Sequence, residues 1–345
     1  MMIKSVYLSR LFNEYDYELF FNGPLNYIHS PNGYGKSTLM HLMTAALRGD
    51  VRYLSETPFE RLDLSFDNGS TLIVENRGDG ILMQISMNGI VSPIDPFEVP
   101  DLASSCYIGP ERIALRRSDG HISPALDVYA QELYERISYA RGHRSLEKPI
   151  EVRRSATEAE LDKRFWDIKA KLDYIRDAGL EPDIPSGMRF PPSRYEIMNY
   201  RDDYEEFASE LEDYIACNHL LAESVITLKD IINHLFINKT LDINPSGKLC
   251  VQMDNGTMLP LNRLSSGEKQ IIIMFYNLLF HTEPGSIVIV DEPEISLHVS
   301  WQQRIGALFS DICRVRNIQI IVATHSPQII HDMWDYAVEL RSKDA

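Results

Sequence analysis

Long apolar runs are missing from this chain. None approaches the roughly 18 residues that span a bilayer, and the opening MMIKSVYLSR is too short and too polar for a secretory signal. These absences argue against a membrane partner and point to a cytoplasmic location. Cysteine is scarce. Cys106, Cys217, Cys250 and Cys313 lie far apart, so they offer no metal-ligand spacing and read as reduced thiols. Cations are outnumbered, with 34 Lys and Arg against 50 Asp and Glu and a net charge of −16. That excludes a chain that coats nucleic acid non-specifically, because phosphate contact draws on Lys and Arg. No internal repeat or low-complexity tract is present.

What remains is a 345-residue chain with a globular balance of 44% hydrophobic and 24% charged residues. That supports one large domain or two ordinary ones with a sizeable core. One local basic stretch stands against the acidic background: Arg112, Arg116, Arg117, Arg136, Arg141, Arg144, Lys148, Arg153 and Arg154. It is a candidate DNA or RNA face, but acids are interspersed, and a solvated mixed-charge surface reads equally from the same residues.

YLSRLF, YELFF and LNYIH read as strands near the N-terminus. LNYIH runs into HSPNGYGKST, and STLMHLMTAAL follows with helical spacing, ending at Arg48-Gly49, a C-cap pattern. Strand, glycine-containing loop and helix form the context of a phosphate loop. The usual first glycine is missing, because Ser30 stands five positions before Gly35. Turn signals at 67–69 and 77–80 separate TLIVE from ILMQISM, predicting antiparallel hairpins. SCYIG is a short strand ahead of the basic ERIALRR.

Residues 125–238 predict a helical lobe. Thr157 to Glu160 form a capping box. Leu161, Phe165, Ile168, Leu172 and Ile175 make one apolar seam, and Gly179 ends that helix. A Pro-rich break follows. Phe207, Leu211, Tyr214, Asn218, Leu221, Val225, Leu228, Ile232 and Leu235 make a second seam. The two predict an antiparallel helical pair with coiled-coil-like packing, with Asn218 as a candidate register-setting residue. The chain then divides as 1–124, 125–238 and 239–345.

Three further motifs lie in the last hundred residues. SIVIVDE is a buried strand presenting Asp291 and Glu292 at its C-terminal end, where ligands sit in a parallel nucleotide-binding sheet. There Asp291 would hold Mg²⁺ near Ser37 and Glu292 would polarise an attacking water. Read alone, it is equally a strand with an acidic turn. LSSGEKQ opens an apolar helix, and its Ser-Ser-Gly-Glu start is either a plain N-cap or an anion site. IQIIVATHS is a buried strand ending in His325, where a γ-phosphate sensor would sit.

In this order the four segments resemble the ATP-binding-cassette (ABC) ATPase family. HSPNGYGKST matches its Walker A loop, LSSGEKQ its signature, SIVIVDEPE its Walker B segment and ATHS its switch-histidine segment. LSSGEKQ and DEPEISLH further resemble the RecF/SMC/OLD branch, whose members act on DNA or in phage defence. A transporter cassette fits less well, since such cassettes usually carry an Asp where His298 stands. The resemblance covers about residues 1–120 and 239–340. It implies an α/β P-loop NTPase fold with a mostly parallel core sheet, an antiparallel β subdomain and a helical insertion.

The resemblance also implies the site. ATP and Mg²⁺ are the expected cofactors. Asn32, Gly33, Tyr34, Gly35, Lys36, Ser37 and Thr38 would cradle the phosphates, with Lys36 on the β/γ oxygens. Ser37 and Asp291 would hold the metal, and Glu292 and His325 would be catalytic. Ser265, Ser266, Gly267 and Glu268 would contact nucleotide on a partner chain, so a homodimer or higher homo-oligomer is expected. The family's Q-loop glutamine has no counterpart in Cys106–Arg117. OLD-type proteins continue into a nuclease domain and this sequence stops at Ala345, so a separate effector protein is expected. Two activities stay open: a hydrolysing ATPase, or a nucleotide-gated scaffold that holds an effector with little turnover.

Overall fold

A computed structural model describes residues 1–31, 33–78, 80–116 (backbone only at 116), 122–142 and 157–341. Tertiary contacts group it into two units. One joins Met1–Ala114 with Ser265–Ala345, and the other is Leu115–Leu264.

The first unit holds two sheets. The central one is five-stranded and parallel, ordered Ala337–Glu339, Leu25–His29, Gln319–Thr324, Ile287–Asp291 and Ser105–Ile108. Its inner strands are apolar on both faces, as a sheet covered on both sides requires. Ile28, Ile287, Ile289, Ile321 and Ala323 share one core cluster with Leu39, Met40 and Met43 of the helix Lys36–Arg48. On the opposite face Tyr27 packs against Gly306 of the helix Val299–Arg316, where a Cβ would stand 2.9 Å from the tyrosine hydroxyl. The two-residue alternation of strand side chains makes this division.

The second sheet is six-stranded and antiparallel, ordered Tyr15–Phe20, Ile3–Leu11, Arg61–Phe66, Thr71–Asn76, Ile81–Met87 and Ile90–Pro93. Gln319, at the start of a parallel strand, ties the sheets together. Its Oε1 accepts from the Ile3 amide at 2.7 Å and its Nε2 donates to the Ile3 carbonyl at 2.8 Å. The mixed parallel and antiparallel α/β architecture is the one the resemblance implied.

The second unit contains the helices Ala125–Gly142, Glu158–Asp177, Arg194–Asn199 and Arg201–Leu235, with a three-stranded sheet of Lys239–Ile243, Leu249–Met253 and Met258–Leu259. The division drawn from the sequence set residues 239–263 with the C-terminal half, whereas contacts place these strands with the helices. Thr157 and Glu160 form the expected capping box, and Gly179 takes a positive φ of 77° just past that helix. Both apolar seams are buried, except that Ala222 takes the inward place expected of Leu221.

Two expectations for this pair are corrected. The helices run parallel, not antiparallel. Phe165 meets Phe207, Arg164 pairs with Glu212, Tyr174 meets His219, and Lys229 donates to the Asp177 carbonyl, so positions rise together on both helices. The Pro-rich segment between them is long enough to carry the chain back to the start of the first helix, an option that seam spacing alone cannot reveal. Asn218 does not bridge the helices, because its amide donates to the Tyr214 carbonyl of its own helix at 2.9 Å. A buried amide satisfied in that way sets no inter-helix register.

Three residues of the basic stretch are engaged within the protein. Arg112 is buried, Arg136 pairs with Glu132 at 2.7 Å, and Arg141 donates to the Pro245 carbonyl at 3.0 Å. The Arg116 side chain, Arg117, Arg144, Lys148, Arg153 and Arg154 lie outside the described residues.

Candidate functional site

Four neighbouring parallel strands deliver their C-terminal ends to one edge of the sheet. Leu25–His29 leads into the glycine loop, Gln319–Thr324 into His325, Ile287–Asp291 into Glu292, and Ser105–Ile108 into Gly109 and Arg112. Ligands of parallel α/β sheets bind at such an edge.

The loop turns on Gly33 (φ 90°) and Gly35 (φ 70°), left-handed values that favour glycine. Ser30 needs no such value, so the missing first glycine does not prevent the turn. Gly35 also sits where a Cβ would stand 2.9 Å from Leu11 Cδ2. The Tyr17 hydroxyl donates to the Tyr34 carbonyl at 2.6 Å, fastening the loop to the antiparallel sheet. Gly35 caps the helix Lys36–Arg48 without a side-chain hydrogen bond, which leaves first-turn N–H groups for an anion. Ser37 and Thr38 lie half-buried in that turn. Asn32 lies outside the described residues.

Lys36 is 4% exposed. Its Nζ donates to the Ser30 carbonyl at 3.3 Å and the Ser30 hydroxyl at 3.2 Å, and lies 3.1 and 3.0 Å from Nδ1 and Nε2 of His325. Burial lowers the Lys36 pKa, and Glu292, Asp291 and Glu294 pull it back. His325 Nε2 is 3.1 Å from Glu292 Oε1. Glu292 itself holds φ 48°, a conformation that costs a non-glycine residue roughly 1–3 kcal/mol and tends to mark functional turns.

Asp291 is 1% exposed. Its Oδ2 accepts from the Tyr107 hydroxyl at 3.1 Å, while its buried Oδ1 has no hydrogen-bond partner. A bare carboxylate oxygen buried at the nucleotide edge suits a divalent cation. With the Ser37 hydroxyl, the residues present fit Mg²⁺. Among the described residues no group of three or more His, Cys, Asp or Glu is placed to hold a metal ion by itself, and a metal shared with phosphate oxygens does not need one.

Some residues at this edge carry no motif signal of their own. Glu294 Oε1 accepts from Thr324 Oγ1 at 2.7 Å and from the amides of His325 at 2.7 Å and Ser326 at 3.1 Å, stapling the acidic turn to the histidine segment. Arg112 donates to the carbonyls of Gly109 at 3.2 Å and Pro293 at 3.0 Å. Burial brings its pKa down to about 10, against the pull of Glu294 and Asp291. Tyr107 and His41 complete the surroundings of Asp291. Burial, followed by Asp291, raises the Tyr107 pKa. Burial lowers that of His41, with Asp291 opposing. Only the fourth residue of DEPE hinted at this set in the sequence.

The structure thus brings Lys36, Asp291, Glu292 and His325 together, with Ser37 on the first turn beside Lys36. Ser265–Glu268 are engaged elsewhere. Ser265 caps the helix Ser266–Phe280, donating its amide to Glu268 Oε2 at 2.8 Å and accepting from the Glu268 amide at 3.3 Å. Ser265 and Ser266 are exposed. A Cβ on Gly267 would lie 2.5 Å from the Ser296 carbonyl, so the helix start abuts the turn after the acidic strand.

Comparisons with known proteins agree with this architecture. Retron Ec83 probable ATPase of Escherichia coli is 38% identical over 88 residues, covering 22% of this chain and 16% of that protein. Protein ea59 of Escherichia phage lambda is 33% identical over 90 residues, covering 25% and 17%. Retron Vc95 probable ATPase of Vibrio cholerae serotype O1 biovar El Tor is 25% identical over 146 residues, covering 39% and 27%. The chain therefore matches less than a third of the length of each. A solved SMC head, bound in its crystal to the C-terminal winged-helix domain of ScpA, superposes over 100% of this chain and 95% of its own, with a TM-score of 0.54 at 16% identity. That is a likeness of fold. The model of one family matches residues 31–331. The chain belongs to that family, described as "AAA domain, putative AbiEii toxin, Type IV TA system", and its fold is of the ABC ATPase type.

Proposed function

We propose that the chain binds and hydrolyses ATP with Mg²⁺, as an ATP-sandwich dimer that governs a separately encoded effector in phage defence or DNA maintenance. The observation that carries this reading is the convergence of Lys36, Asp291, Glu292 and His325 on one sheet edge. Lys36 and the free N–H groups of its helix hold the β- and γ-phosphates. Ser37 and Asp291 Oδ1 would hold Mg²⁺, which would supply charge neutralisation at the γ-phosphate. Glu292 orients and polarises the attacking water. His325, within reach of both Lys36 and Glu292, senses the γ-phosphate.

The exposed Ser265 and Ser266 and the capped helix behind them form the trans half of the site, supplied to a partner copy. Support for an effector comes from the branch's role in phage defence and from the retron setting named for two relatives. A second reading, a nucleotide-gated scaffold with little turnover, draws on the engagement of Glu292 with His325.

The test is phosphate release by the purified chain with Mg²⁺ or EDTA, with and without DNA, beside light scattering with and without ATP. Mg²⁺-dependent turnover with ATP-dependent dimers is expected. ATP-dependent assembly without turnover selects the scaffold, and neither response overturns both readings.

A further inference from the structure

Asp291 can serve a metal only if its carboxylate is turned correctly, and three elements converge to turn it. Tyr107 lies on the strand Ser105–Ile108, paired opposite Ile289 of the acidic strand. Its hydroxyl is 3.1 Å from Asp291 Oδ2 and 3.1 Å from His41 Nε2. A phenol has one proton, and a carboxylate can only accept. The Tyr107 proton therefore goes to Asp291, and His41 must present Nε2–H to the phenol oxygen. The order is His41 to Tyr107 to Asp291. The His41 and Tyr107 rings lie 4.5 Å apart between centroids. Gly109 makes room for the phenol, since a Cβ there would come within 2.8 Å of Tyr107 Cε1. One carboxylate oxygen is held and the other, buried, is left bare. His41 sits one turn beyond Ser37 on the same helix, so the relay ties the two candidate metal ligands to each other.

We propose that Tyr107, oriented by His41, is the positioning residue that aims Asp291 Oδ1 at the divalent metal. This rests on the Mg²⁺–ATP reading above. Groups behind a metal ligand typically change metal affinity by about 10–100-fold when removed. Tyr107→Phe keeps the ring and deletes only the hydroxyl.

The measurement uses the full chain and a fluorescent ATP analogue, titrated in EDTA and then with increasing Mg²⁺, with Mn²⁺ binding followed by EPR. In Tyr107→Phe the Mg²⁺ and Mn²⁺ requirements should rise about tenfold or more, while metal-free analogue affinity stays near wild type and the melting temperature falls only as the loss of one buried hydrogen bond to Asp291 requires. His41→Ala should shift the metal requirement the same way, and His41→Gln, which keeps an N–H donor, should recover part of it. A wild type that binds no nucleotide overturns the proposed function and this inference with it. Mg²⁺-dependent wild-type binding with an unchanged Tyr107→Phe overturns the inference alone. Equal losses with and without metal, or failure of both His41 variants to shift the requirement, reduce Tyr107 to a packing residue and overturn it too.

Discussion

Lys36 Nζ lies 3.1 Å from Nδ1 and 3.0 Å from Nε2 of His325, although 289 positions separate them. Adjacent parallel strands make this contact, since Thr324 pairs with His29 at the ends of the two strands. The cation of the phosphate loop thus connects through His325 to the Glu292 carboxylate. On the proposed reading, phosphate binding at Lys36 would exchange the Ser30 and His325 contacts for phosphate oxygens, so these neighbours would compete with the ligand.

Removing the cation should abolish nucleotide binding. Lys36→Ala deletes the side chain proposed to reach the β- and γ-oxygens, and equilibrium titration with labelled ATP should show no saturable binding. Removing one competitor should act oppositely. Ser30→Gly deletes the hydroxyl 3.2 Å from Nζ, and a net hydrogen bond of about 0.5–1.5 kcal/mol corresponds to roughly twofold to tenfold tighter binding. Weaker binding by a folded Ser30→Gly would show that Ser30 helps the loop rather than competing with its ligand.

Glu292→Gln should keep ATP and Mg²⁺ binding and lower turnover by about 10²-fold or more, because an amide does not polarise water as a carboxylate does. ATP-bound dimers should accumulate, visible by light scattering. Turnover within about threefold of wild type, far short of the usual acid–base effect, removes Glu292 from the chemistry.

Ser265→Arg tests the trans half of the site. Ser265 is exposed, so the substitution should leave ATP binding by the monomer intact while blocking ATP-dependent dimers and turnover. Mixed with Lys36→Ala, it should regain part of the activity, because the mixed dimer joins one intact phosphate loop to one intact signature helix. Normal dimerisation and turnover of Ser265→Arg would leave LSSGE as a helix cap only.

Glu294→Ala should loosen the histidine segment. It strips the common acceptor from the buried Thr324 Oγ1, from the exposed His325 amide and from the Ser326 amide, which keeps Thr324 Oγ1 as an acceptor at 3.0 Å. The one unsatisfied buried hydroxyl costs about 1–3 kcal/mol. A fall in melting temperature with a loss of turnover is expected, and a reported loss of turnover can be credited to His325 if Glu294→Gln, which keeps an acceptor oxygen, recovers it. A melting temperature equal to wild type in Glu294→Ala would mean that the staple contributes nothing.

The strands, the glycine loop and the capped helices were legible in the sequence because each depends on local chemistry. Gly33 and Gly35 supply positive φ, Ser265 and Glu268 satisfy each other across one helical turn, and the short, β-branched SIVIV run suits a strand covered on both faces. Shared order along the chain linked the four motifs before any distance was known. Tertiary structure alone decided the rest. The parallel run of the helices at 158–177 and 201–235 depends on where the Pro-rich connection leads, which seam periodicity does not encode. The contact of Lys36 with His325 arises from strand adjacency. Tyr107 and His41 were invisible as site residues because single polar residues carry no spacing signal, Arg112 was legible only as part of the basic stretch, and Glu294 only as the last residue of DEPE. Their roles come from partners 30 to 184 positions away, and such long-range pairings exist only once the sheet has set its strand order.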